Sequence, residues 1–373
     1  MMHQTLLNKM LSILNMTETI LYFFHFLLHK ITNHKLQNYK SMKRILSLTI
    51  LAGITFCSNA QSLKVTNSFK MAGPGGWDYI AIQPHSNRVF TSHGSLVNVL
   101  DKTTGNSLGT IPATIGVHGI AFIPSLNKGY TSNGKLNNVF VFDLKTLKVL
   151  DSIATGTNPD AIFYDDFSKK LITCNGRSKD LTFINPFTQK VVATVAVGGK
   201  PETAVSNDKG KIFVNVEDKD EIVVIDAATF KVEAHWSLLP GEAPTGLVID
   251  TKTKRLFAAC GDNNFLVVLD AETGKMIDKL PIGKGCDGAA FDPALKNIYT
   301  SNGADGTITV IHEDGKDKYT VVETITTKKS ARTICIDEAT HKLYLPAAEV
   351  EPAIGNARPK MKPGTFQILV VSK

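Results

Sequence analysis

One spacing constrains this chain more than any other feature. Short strand-like starts recur as "GWDYIAIQP", "GVHGIAFIP", "TNPDAIFYD", "GKPETAVSN", "EAPTGLVID", "GCDGAAFDP" and "KSARTICID". Each carries one polar residue at a fixed place: Asp78, His118, Asp160, Glu202, Thr245, Asp287 and Arg332. The successive intervals are 40, 42, 42, 43, 42 and 45 residues. Self-similarity at this period marks a four-stranded propeller blade, a unit that must stack on copies of itself to bury its apolar faces. The segments "GVHGIAFIPSLNKGYTSNG" at 116–134 and "GCDGAAFDPALKNIYTSNG" at 285–303 share one frame, yet His118 in one stands where Asp287 stands in the other.

The interior of each period follows one grammar. A second apolar run comes after a polar turn ("VFTSH", "GYTSN", "KLITCN", "KIFVNV", "RLFAAC", "NIYTSN", "KLYLPA"), and a third, rich in Val, Ile and Phe, mostly closes on Asp ("NVFVFD", "EIVVID", "FLVVLD"). A Thr-Gly or Thr-Leu turn follows, then a fourth run such as "KVLDSIATG". β-branched and aromatic runs with Asn, Asp, Gly and Lys between them are strand-and-turn chemistry. No stretch after Ala60 sustains a helical period. The seventh unit stops one strand short, and an unassigned strand, "LKVTNSFKM" at 63–71, precedes the first. Pairing the two completes the last blade and removes both open edges. The expected fold is all-β: a seven-bladed β-propeller over 61–373, closed by its N-terminal strand.

The formal charge of +7 is a property of the N-terminus. Residues 1–60 hold six basic side chains and one acid, which leaves 35 basic and 33 acidic residues, or +2, for the rest. From Met42, "MKRILSLTILAGITFCSNAQS" has a charged start, a short apolar run and a small-residue cleavage site at Ser58-Asn59-Ala60. It reads as a signal peptide over 42–60, with 1–41 an upstream extension outside the fold and the product periplasmic or secreted. Two other readings stay open: a membrane anchor in "ILYFFHFLLHKI", and lipidation at Cys57. After signal removal no transmembrane anchor is expected, and a monomer is. Cys174, Cys260, Cys286 and Cys335 show no CxxC spacing, so a structural zinc site is not expected. Buried thiols are the default, and a Cys260–Cys286 bridge is the one pairing to examine.

In a propeller the loop entering the first strand and the loop leaving the second lie on one face of the disc. The varied polar residues therefore form a ring at one channel mouth. A second tier comes from the ends of the second strands: His93, Asn133, Asn175 with Arg177, Asn215 with Glu217, Cys260, Asn302 and Glu349. Asp78, Asp160, Glu202, Glu217, Asp287 and Glu349 supply carboxylates, Arg177 and Arg332 fixed positive charge, and His93 and His118 titratable groups. Converging carboxylates raise one another's pKa and an adjacent Arg lowers it. Such a mouth suits a metal cation, a polar small ligand or a protein partner's loop. Any single Asp or Asn among them also reads as a turn cap. His85, His235, His312 and His341 fall on turns or outer strands, and Trp77 reads as a packing residue. The basic, Pro-rich loop 355–364 either covers the mouth or is mobile.

The segments "GGWDYIAI", "GVHGIAF", "YTSNG", "NPDAI", "CNGRS", "KPETAV", "VNVEDKDEIVVID", "APTGL", "SNGADGTITVIHED" and "PGTFQILVV" together resemble the YncE-like YVTN-repeat propellers of bacterial export compartments. The resemblance implies a seven-bladed exported propeller with no settled enzymatic activity. Some members bind single-stranded DNA, but the near-neutral mature chain and acid-rich ring, short of exposed aromatics, argue against nucleic acid here. The architecture is also similar to the haem-bearing propeller of nitrite reductases and to quinoprotein propellers, yet no CxxCH haem attachment motif occurs. Two functions are carried forward. One is a non-catalytic binding propeller. The other, by analogy with gluconolactonase-type propellers, is a calcium-assisted lactonase or related hydrolase, with Asn175, Glu202, Glu217 and Asp287 as possible metal ligands. No GxSxG nucleophile motif is present.

Overall fold

The computed structural model describes residues 62–351 and 360–373. The upstream extension, the signal peptide and residues 355–359 of the 355–364 loop lie outside the described residues. Seven antiparallel sheets of four strands each make up the rest. Six blades are built from consecutive strands, with inner strands Ile80–Ile82, Val117–Ile123, Pro159–Asp165, Pro201–Ser206, Pro244–Asp250 and Cys286–Asp292. In the seventh the strand order runs from Cys335–Asp337 through Lys342–Ala347 and Gln367–Ser372 to the N-terminal strand Lys64–Lys70. Phe69 pairs with Ile368 and Lys70 with Gln367. The expected closure is the observed one.

The second and third strands of most blades are buried on both faces, which is why they read as near-continuous apolar runs rather than as alternating ones. Each blade face packs on the next blade, and the buried apolar side chains fall into seven clusters, one at each junction. The junction between last and first blades is as full as the others: Phe69, Met71, Tyr344, Phe366 and Ile368 meet Ile80, Val89 and Leu100. The ring therefore has no open seam.

Two local devices repeat. Asp101, Asp143, Asn185, Asp226 and Asp270 end their strands by accepting hydrogen bonds from the N–H groups two and three residues on, at 2.7–3.2 Å. This is the Asx turn that the Thr-Gly and Thr-Leu signatures announce. Every outer strand also carries one unpaired extra residue: Leu108, Leu150, Val192, Glu233, Ile277, Val322 and, in the N-terminal strand, Thr66. A bulge on an exposed edge blunts it against pairing with another chain. Cys174, Cys260, Cys286 and Cys335 are all unbridged. No helix among the described residues is long and apolar enough to cross a membrane.

Candidate functional site

The seven varied residues occupy one structural position. His118, Asp160, Glu202, Thr245 and Asp287 are each the second residue of their inner strands. Asp78 and Arg332 stand just ahead of theirs. In the five blades from the second to the sixth, strand pairing slips at this point. A slip of this kind re-aims a side chain out of the pleat. The backbone beneath is tied across the blade junctions. Ser132 bonds Gly119 N at 2.8 Å and the Asp160 carbonyl, Asn215 Nδ2 donates to Gly246 O at 3.1 Å, and Thr333 Oγ1 donates to Asp78 O at 2.5 Å.

Five of the seven form a continuous chain of contacts. Arg332 pairs with Asp287, its Nη2 lies 3.5 Å from Asp78 Oδ1, and Nη2 also donates to Trp77 O at 2.7 Å. Asp78 Oδ2 is 2.6 Å from His118 Nδ1, which is in turn 3.6 Å from Asp160 Oδ1. The fourth blade supplies a second group, in which Lys200 Nζ lies 3.0 Å from Glu202 Oε2 and also pairs with Glu217. Thr245 leaves the ring, donating to the backbone carbonyl of Cys286 at 2.9 Å.

One step deeper, the equivalent residues are Tyr79, Gly119, Ala161, Thr203, Gly246, Gly288 and Thr333. All but Tyr79 are small. A Cβ on Gly246 would sit 2.6 Å from the Ala289 nitrogen, so the blades meet there backbone to backbone. Tyr79 uses the space the others leave. Its hydroxyl reaches Thr203 Oγ1 at 3.3 Å and its ring packs on the cluster between third and fourth blades. The mouth is thus a cup floored by Tyr79.

Five carboxylates (Asp78, Asp160, Glu202, Glu217, Asp287) face two fixed cations in contact with them, Lys200 and Arg332. Burial would raise Asp78, but Arg332 and the His118 hydrogen bond outweigh it and hold its pKa down. Burial, reinforced by the Asp78 charge, pushes Asp160 up to about 7. Burial and the Asp160 charge push Glu202 well above the usual range against the pull of Lys200. Asp287 is raised by burial despite Arg332. Burial would lower His118, but its bond to Asp78 and the Asp160 charge raise it. Burial, then Asp160, lifts Tyr79 well above an ordinary phenol. The Asp160 side chain is only 10% exposed, and its buried Oδ1 has no hydrogen-bond partner. Glu202 Oε2 has its Lys200 contact but no well-aligned hydrogen bond. One molecular feature recurs across the cup: carboxylate oxygens with too few donors.

The second tier is placed differently from the sequence expectation. Asn133, Asn175 and Asn302 are fully buried. Their amides donate to the next strand of their own blade: Asn133 to Asn138 at 3.0 Å, Asn175 to Asp180 at 2.7 Å and Thr182 at 2.8 Å, Asn302 to Thr309 at 3.0 Å. His93 is buried, bonded to Asn98 Oδ1 at 3.2 Å and stacked near Phe366. Asn215 and Cys260 are buried as well. Arg177 is exposed on the rim, as is Glu349, which lies 3.6 Å from Lys328 and 3.7 Å from Lys362. Trp77 packs on Phe366. The four possible calcium ligands do not share one set of free oxygens: Asn175 turns into its blade, Lys200 holds Glu202 and Glu217, and Arg332 holds Asp287. Lys200 and Tyr79 are additions that motif reading misses. Lys200 had one visible signal: among the residues two before the ring position (Gly76, Gly116, Asn158, Lys200, Ala243, Gly285, Ser330) it alone is charged.

Away from this cup, a cavity of about 300 Å³ opens where inner strands end, lined by Val205, Val248, Ile249 and Phe291 with Asp250 and Glu338 at its edge. It shares no residue with the charged ring.

No known family model and no curated protein matches the sequence. Among solved structures the chain is similar to hydrazine synthase of Kuenenia stuttgartiensis, at 16% identity over 71% of this chain and 91% of that one, with a TM-score of 0.64. It is similar to the WD40 repeats of RRP9 at 8% identity over 84% of this chain and 99% of that one, TM-score 0.72. The U3-55K structure matches at 8% identity over 83% and 99%, TM-score 0.70. At these identities the likeness shows the fold alone.

Proposed function

We propose that the protein is an exported, YncE-like YVTN-repeat propeller that binds a small, positively charged ligand in the acid-rich cup and carries out no reaction on it. The observation that carries the reading is the Asp160 carboxylate, nine-tenths buried with an oxygen that no donor meets, among four further carboxylates and two fixed cations. Buried carboxylates are ordinarily paired or hydrogen-bonded, and a shortfall of donors marks a place that a cationic guest completes. The leader-like segment supports export, and the quoted blade motifs support the family. The acid surplus disfavours a phosphate-bearing guest such as nucleic acid.

The calcium-assisted hydrolase is the weaker reading. Calcium takes six to eight oxygens, and the four residues offered for it are committed to Lys200, Arg332 and the third blade. Thermal melts with a panel of small charged molecules test the proposal. Putrescine and divalent cations should raise the melting temperature in proportion to the logarithm of concentration, and phosphate and glutamate should leave it unchanged. Stabilisation by the anions alone would overturn it.

A further inference from the structure

We propose that Asp78, His118 and Asp160 form a binding site for one divalent transition-metal ion of the zinc class. The proposal rests on the reading of the cup as a cation site and names the cation and its ligands. One ligand atom from each of the three residues lies within 4.8 Å of the others. His118 Nδ1 is 2.6 Å from Asp78 Oδ2 and 3.6 Å from Asp160 Oδ1. Ligands bound at about 2.0–2.2 Å from a zinc-type ion sit roughly 3 Å apart, so small shifts of these side chains admit an ion among them. One imidazole and two carboxylates suit a zinc-class ion better than calcium, which prefers oxygen alone.

Independent support comes from one atom that lacks a hydrogen-bond partner. Asp160 Oδ1 is buried and unpartnered, and it faces the imidazole nitrogen rather than solvent. Arg332 attends Asp78 through the other oxygen, Oδ1, so an ion need only replace the His118 hydrogen bond at Oδ2. That is the arrangement in which an outer partner orients a ligating carboxylate. The Nε2 edge of the His118 ring lies against Gly134, where a Cβ would come within 2.7 Å of Nε2, so the absence of a side chain there leaves room for the ring while Nδ1 meets the carboxylates. Ligation through Nδ1 uses the neutral imidazole with its hydrogen on Nε2, so an imidazolium gives up its Nδ1 proton to solvent as the ion binds, and a neutral ring only moves its hydrogen to Nε2. The three ligands come from three successive blades, so the site exists only in the assembled ring. The remaining coordination positions open into the cup, where water or an oxygen of a second guest completes the shell.

The test is titration of Zn²⁺ alone into the full chain, purified without a histidine tag, by calorimetry, with Co²⁺ absorption as a spectroscopic check. The expected result is one ion per chain and a Co²⁺ spectrum typical of mixed nitrogen and oxygen ligation. His118→Gln and the isosteric Asp160→Asn should each weaken Zn²⁺ at least about tenfold, while His235→Ala, on an outer strand, leaves the affinity unchanged. If Zn²⁺ binds but only Asp287→Asn or Glu217→Gln weakens it, the ion lies elsewhere in the cup; the triad is wrong and the cation reading stands. If no divalent ion binds while putrescine still stabilises the fold, the triad again falls alone. If neither binds, both fall.

Discussion

The Tyr79 hydroxyl, carried by the first blade, lies 3.3 Å from Thr203 Oγ1 of the fourth, so one side chain spans the propeller axis. Its neighbours at the same depth are small and cannot fill the space if it is cut back. Tyr79→Ala should therefore cost about 2–4 kcal/mol, as expected for a large aromatic leaving a cavity. Tyr79→Phe should cost about 1 kcal/mol for the lost hydrogen bond. Denaturant titration of both variants checks this. Equal, negligible losses would mean that the ring does not support the cup.

Glu202 predicts an unusual pH response. Its pKa is raised in the folded state, first by burial and then by Asp160. Folded chains thus hold this proton when unfolded chains have released it. The stability contributed is full below the ordinary carboxylate range, and declines as pH rises from there through the raised folded value. Glu202→Gln should remove that part of the decline and melt higher than wild type at neutral and alkaline pH. Melts across pH 4–9 read it, and a variant that melts lower at every pH would contradict it.

The turn aspartates predict the opposite limb. Asp226 accepts from Thr229 N at 2.7 Å and Thr229 Oγ1 at 2.8 Å, which, led by the Thr229 backbone bond, holds its pKa at about 2. Its stabilisation is present above the unfolded value near 3.8 and disappears as pH falls through about 2. In the third blade Asn185 fills this place with the same backbone bonds. A neutral amide keeps those bonds but not the charge, nor the Lys211 ion pair at 3.3 Å, so Asp226→Asn should lose a modest part of the stability at pH 7 and flatten the acid limb. An acid limb as steep as that of wild type in acid titrations of the variant would contradict this.

The N-terminal strand should be indispensable. Removing residues up to 71 exposes the edge of Gln367–Ser372 and takes Phe69 and Met71 from the junction between last and first blades. A strand edge without its cover pairs with other chains. Light scattering should show aggregation, or melting should fall steeply. A shortened chain that stays monomeric with unchanged melting would contradict the closure scheme.

The fold was legible because its period is written in turn chemistry and apolar runs, and the ring because it sits at one phase of that period. Below that level the residues do not announce their direction. Ser132 and Asn133 are adjacent and both polar; only the pairing decides that Ser132 ties Gly119 to the next blade while Asn133 turns to Asn138. Successive side chains point to opposite faces, so one residue of phase separates a channel ligand from a blade staple. The same ambiguity concealed Lys200, whose place between Glu202 and Glu217 depends on two loops meeting. Tyr79 was hidden for another reason: contact across the axis joins residues 124 positions apart with no periodic trace.

The cation reading of the cup turns on Asp160→Asn. The buried carboxylate has an oxygen without a donor and lies beside Asp78, so ionising it in the empty cup is unfavourable. Melting temperatures of wild type and variant, each alone, with Zn²⁺ and with putrescine, give six comparable numbers. The unliganded variant should melt at or slightly above wild type, as sites held for binding trade stability for function, and its response to both cations should be largely lost. A variant that melts lower than wild type and still responds fully to the cations would make Asp160 a structural residue and remove the basis for the cup as a cation site.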